Sequence, residues 1–115
     1  MGRQVNQGGG NSRNVVHREF RLSNVTETLA ANKTLTVSSS TAQFLDPGGS
    51  ARDVTLPAES DSDGLMFFIS NEADGAEIIS VKNDGGDTIL TPTQNEACVV
   101  VCDGTSWSGM VGATS

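Results

Sequence analysis

Apolar and polar positions alternate with a period of two along much of this chain. Val16, Arg18, Phe20 and Leu22 fall on one side of an extended segment, and Val15, His17, Glu19 and Arg21 on the other. The first side is apolar except for Arg18, a pattern suited to an edge strand or to pairing with a neighbouring chain. Val25–Leu29 predicts another short strand, and Thr34–Val37 a third, with Leu35 and Val37 alternating with threonines. A segment through Gln43-Phe44-Leu45 follows, then Asp53–Leu56 with Val54 and Leu56 inward, stopped by Pro57. Leu65–Ile69 and Ala97–Cys102 are continuously apolar, or nearly so, which predicts strands buried on both faces. Glu77–Lys82, Thr88–Leu90 and Trp107–Val111 complete the set.

Turn residues separate these runs. Asp46-Pro47-Gly48-Gly49, Asp74-Gly75, Asn83-Asp84-Gly85-Gly86 and Asp103-Gly104 are turn signals, and Glu59–Gly64 is an acidic turn. Asn83–Gly86 is the clearest hairpin signal. Many short strands with turns at this spacing predict an all-β domain, an antiparallel β-sandwich or a jelly-roll-like small barrel. No internal repeat is visible, and no stretch has the periodicity of a long amphipathic helix.

The chain has 115 residues, enough for one domain. Residues 1–14 are rich in Gly, Asn, Gln and Arg and have nothing to bury, so they are expected to form a flexible, extended N-terminal arm. Residues 15–115 are expected to form the single β domain, with 15–22 a candidate subunit-bridging strand. With four Phe, one Trp and no Tyr, the core must come mainly from Val, Ile, Leu and Ala.

Charge changes this picture. The formal net charge is -7, unevenly spread. Residues 1–22 hold Arg3, Arg13, Arg18 and Arg21 against Glu19, whereas the remainder holds Lys33, Arg52 and Lys82 against thirteen acids. A basic arm on an acidic body is suited to meeting something negative, while the body itself repels nucleic acid and anionic membrane. Arg3, Arg13, Val16, Arg18, Phe20 and Arg21 are the candidate partner-binding residues. Nucleic acid and membrane are not expected partners.

The residues offer little catalytic chemistry. His17 is the one histidine and has no partner motif. Gly104–Gly109 resembles a nucleophile elbow only superficially, because Ser108 stands where the second glycine would be. Cys98 and Cys102 lie about 13 Å apart on a strand, too far for a disulfide, and buried free thiols from a reducing cytoplasm are expected. Neither Asp61 with Asp63 nor Asp84 with Asp87 follows calcium-loop spacing. No catalytic residue, metal or cofactor is expected. Met1 leads into polar sequence, so no signal peptide is expected, and the sequons at Asn24 and Asn32 are read as accidental. Trp107, beside an Asp-Gly turn, is a candidate for packing in the core or in a subunit interface.

One order of motifs is more specific. Val54-Thr55-Leu56-Pro57-Ala58 is followed by Gly64–Asn71, Ile79-Ser80-Val81, Gly85-Gly86-Asp87-Thr88-Ile89, and Val99–Trp107 with its Asp103-Gly104 turn. This order resembles small β modules of tailed bacteriophage virions, namely capsid decoration (cement) proteins and parts of tail fibres or spikes. The resemblance spans roughly residues 34–110. Its motifs are strand and turn residues, which bear on fold more than on role. It implies a homotrimer and a structural virion protein, made in the host cytoplasm. The short chain, from an initiator Met to Gly-Ala-Thr-Ser, and its arm favour the outer capsid surface, with the major capsid protein as partner. The alternative is a tail, fibre or spike module that binds a host receptor or another virion protein. A cellular binding module or an enzyme accessory domain is the third reading.

Overall fold

The computed structural model describes residues 19–114. The first four of these, Glu19–Leu22, are not in a strand, and the rest of the predicted bridging strand, like residues 1–14, lies outside the described residues. Nine strands follow in order: β1 Asn24–Thr28, β2 Lys33–Thr34, β3 Ala42–Asp46, β4 Arg52–Thr55, β5 Met66–Asn71, β6 Ile79–Lys82, β7 Thr88–Leu90, β8 Glu96–Cys102 and β9 Trp107–Ala113. A 3-10 turn at Glu59–Asp61 occupies the acidic segment.

The strands form two mixed sheets, one ordered β1-β3-β5-β8-β9 and the other β2-β4-β6-β7. The antiparallel expectation is therefore corrected. β1–β3, β3–β5, β2–β4 and β4–β6 are parallel, and only β5–β8, β6–β7 and β8–β9 are antiparallel. From β1 to β6 the chain alternates between sheets, so each strand lies parallel beside the one two before it. A parallel pair needs a crossover connection, and here a strand of the opposite sheet supplies it. The winding stops at Asn83–Gly86, where the β6–β7 hairpin reverses the chain, with Gly86 at φ 93°. β8 and β9 then add to the first sheet as a hairpin.

The two sheets share one core. Leu45, Phe67, Ile69, Cys98 and Val100 from the first sheet meet Val54, Ile79 and Val81 from the second, with Leu29, Leu35 and Leu56 from the connections. Phe67 lies against Trp107 with ring centroids 6.0 Å apart. Trp107 is also held by its Nε1–H, which donates to the Pro57 carbonyl at 3.2 Å.

Three further expectations are corrected. The strand expected over Thr34–Val37 ends at Thr34. The Ser39 Oγ accepts from the Thr36 N–H at 2.9 Å and the Thr36 Oγ1 accepts from the Ser38 N–H at 3.2 Å, so hydroxyls close a turn. Leu35 stays buried and Val37 is exposed. Second, β5 is not buried on both faces, because Met66 and Phe68 on its outer side are only half-buried. Third, β8 likewise buries Cys98, Val100 and Cys102 but leaves Val99 half-buried and Val101 exposed.

Two glycines set the packing of these elements. Gly48 turns the chain at φ 80°, and a Cβ there would lie 2.8 Å from the Leu29 carbonyl oxygen. Gly109 lets β9 sit close to β8 and under β7. A Cβ at Gly109 would lie 2.8 Å from Val100 Cγ1, 3.0 Å from Leu90 Cδ1 and closer still to the Val99 carbonyl oxygen. Backbone cannot yield as a side-chain tip does, so Gly109→Ala must push β9 outward. The expected cost is about 1–3 kcal/mol, measured as a lowered urea midpoint with faster hydrogen exchange confined to β8 and β9.

Candidate binding surface

Arg3, Arg13, Val16 and Arg18, with His17, lie outside the described residues. Phe20 is 86% exposed. Arg21 pairs with Glu19 at 2.9 Å, and both side chains are largely exposed, so this ion pair contributes little to stability. Trp107 is buried within one chain and its indole N–H is already satisfied. Its ring serves the monomer core, and little of it is left for a subunit contact.

The remaining candidate chemistry is quickly placed. Cys98 and Cys102 are buried free thiols on the inner side of β8. Burial pushes the Cys98 thiol up to about 11, which keeps it protonated and unreactive at neutral pH. The Asp103 carboxyl is held below its usual range by the Ser106 and Thr105 backbone N–H groups, which donate to it across the turn. That carboxylate is a turn component. Among the described residues no three His, Cys, Asp or Glu side chains are grouped to hold a metal ion, and no helix is long and apolar enough to cross a membrane.

The surface that stands out is the outer face of the five-stranded sheet. Side chains alternate across a strand, so Phe68, Val99 and Met110, directly opposite one another on β5, β8 and β9, share that face. Met66 and Val101 form a second apolar pair beside them. Phe44 joins from β3 with its ring centroid 5.8 Å from that of Phe68. The outward residues of β5, β8 and β9 include no charged side chain, on a body that is otherwise strongly acidic.

This face is not flat. Ala97 and Gly112, a cross-strand pair, are small and floor a hollow of about 250 Å³ walled by Phe68 and Met110. A second hollow of about 390 Å³ adjoins it, sharing Phe68 and Ala113, and contains Glu72 and Asn95 at its polar end. Glu72 also lines a third, of about 280 Å³, with Glu27 and Asp46. The face therefore passes from apolar over β8 and β9 to acidic beyond Phe44. Ser70 Oγ–H donates to the Glu72 carboxylate.

Sequence reasoning missed this face because a run of apolar residues does not say how many of its sides are covered. The readable signal was Ser108-Gly109-Met110-Val111-Gly112, where large apolar residues stand among residues too small to cover a neighbour.

Compared with known protein families, curated protein sequences and solved structures, the chain matches none.

Proposed function

We propose that this chain is a structural binding protein and not an enzyme: a capsid decoration protein of a tailed bacteriophage. In this reading it seats on the outside of the assembled shell as a homotrimer and stabilises it. The observation that carries a binding role is the uncharged, hollowed apolar face on the β5-β8-β9 side of an acidic body. Contiguous apolar surface of this kind marks an interaction site. The order of strand and turn motifs supports the phage assignment by resemblance.

The basic arm gives the mechanism its second part. Arg3 and Arg13 pair with carboxylates of the major capsid protein, and the segment from Val15 to Leu22 links to a neighbouring protein. A protein that binds the assembled shell and not its free subunits shifts the balance toward the shell by mass action. Three arms on one trimer act together, so weak single contacts give tight seating. The acidic outer body keeps particles apart.

Co-sedimentation with undecorated shells tests this reading. The full chain should pellet with shells, and a chain lacking residues 1–14 should bind more weakly while keeping its fold and trimer. Replacing Arg3 and Arg13 with Gln should weaken attachment more at low salt than at high salt, because salt already screens exposed charge. If the truncated chain binds as tightly as the full chain, the arm takes no part in seating.

A further inference from the structure

We propose that the outer face of the five-stranded sheet receives the Val15–Leu22 segment of a second copy, with Phe20 in the hollow over Ala97 and Gly112 and Arg18 directed to Glu72. This rests on the self-association in the reading above and names the surface that performs it.

Four observations lead there. First, Phe20 is 86% exposed, which leaves the whole ring to be covered by something else. The hollow over Ala97 and Gly112 is apolar and has about 250 Å³ of room.

Second, Arg18 is the odd member of its row, the one charge among Val16, Phe20 and Leu22. On an extended segment residues 18 and 20 point the same way, about 7 Å apart. The hollow adjoining the apolar one contains Glu72. An apolar seat beside a carboxylate matches a Phe and an Arg two residues apart.

Third, charge favours this pairing between copies. Two acidic bodies repel, whereas the segment before Ser23 carries four arginines against one glutamate.

Fourth, the far side of the chain's own hollow lies at the limit of Phe20's reach. Phe20 precedes the first residue of β1 by four positions, a span of at most about 14 Å. Gly112 is opposite Ala97, which is opposite Ser70, then Phe44, then Thr26 on β1. Those four strand spacings put Gly112 about 19 Å across the sheet from β1. A second copy has no such tether.

A disulfide trap tests this with the full chain. A Phe20→Cys chain is mixed with a Gly112→Cys chain and oxidised mildly. A Cβ at Gly112 has nothing within 4 Å, so that variant should fold normally. The native thiols are buried and Cys98 is hard to ionise, which keeps them out of the exchange. The expected product is a two-chain species whose linked peptide maps to positions 20 and 112. Adding Glu72→Arg to the Gly112→Cys chain should cut its yield about tenfold, and adding Arg18→Glu to the partner chain should restore it.

A 20–112 link that forms only inside a doubly substituted chain, independent of concentration, overturns the proposal in favour of the chain's own hollow. An adduct between the Gly112→Cys chain and a shell protein, formed through position 112 in place of the chain–chain link, overturns it in favour of the shell. Absence of any link while sedimentation still shows an oligomer and shells are still bound overturns it and leaves the decoration reading standing. Loss of shell binding with the link intact does the reverse.

Discussion

Phe67→Ala should lower the unfolding free energy by about 3–5 kcal/mol. Phe67 is fully buried and is the largest of the completely enclosed side chains. It lies against Trp107 and belongs to the cluster through which the two sheets meet. The void cannot easily collapse. β5 is paired to β8 at Phe67 itself and to β3 from Phe68 onward, so the backbone around residue 67 has little freedom to close in. The loss is large beside the roughly 5–15 kcal/mol that holds a typical domain folded. Equilibrium urea unfolding should show a large fall in midpoint with little change in slope. A variant with a near-native midpoint would mean that the core does not run through β5. Val99→Ala, on the outer side of β8, is the matched control and should cost much less, because Val99 is only half-buried.

The contrast between Phe67 and Val99 also marks what the sequence could and could not reveal. Turns were legible because their chemistry is local. Asp46–Gly49, Asn83–Gly86 and Asp103-Gly104 all turn the chain, and Thr88–Leu90 is a strand at the bounds read for the segment returning from the second of these turns. The inward pair Val54 and Leu56 was legible for the same reason. Pairing was not. A period of two tells which side chains share a face and is silent on which strand lies alongside and in which direction. The steps from Asn24 to Ala42 and from Ala42 to Phe68 are unequal, so the winding leaves no sequence period to find. The Thr34–Val37 alternation failed because serine and threonine hydroxyls compete for backbone groups. Trp107 lay beside a turn, a position compatible with core or interface; the hydrogen bond to Pro57, fifty residues away, places it in the core. The hollowed face was hidden because Phe68, Val99 and Met110 are brought together only by register across three strands.

Asn71→Ala should cost about 2–4 kcal/mol, because it removes three hydrogen bonds and leaves two backbone groups unpaired, and an unmade buried bond costs about 1–3 kcal/mol. Asn71 ends β5 and is 1% exposed. Its Nδ2 donates to the Glu77 carbonyl and to the Pro92 carbonyl, each at 3.0 Å, and its Oδ1 accepts from the Ala73 N–H at 2.9 Å. One amide thus ties together the end of β5, the loop leading to β6 and the segment before β8. Alanine removes all three bonds and leaves the Glu77 carbonyl and the Ala73 N–H without this partner, while the Pro92 carbonyl keeps the Ile79 N–H at 3.2 Å. Asn71→Asp separates the contributions: it keeps the acceptor for the Ala73 N–H but sets a carboxylate against two carbonyl oxygens, and should be at least as destabilising as alanine. Hydrogen exchange at the Ala73 amide should accelerate in the alanine variant and stay closer to native in the aspartate variant, relative to each variant's global stability. The effect should also reach the binding face. Asn71, Glu72 and Ala73 together line the hollow proposed to take Arg18. Loosening residue 71 frees the backbone that positions the Glu72 carboxylate. The alanine variant, held at a temperature where it remains folded, should therefore give less of the 20–112 cross-link than the parent, although residue 71 makes none of the proposed contacts.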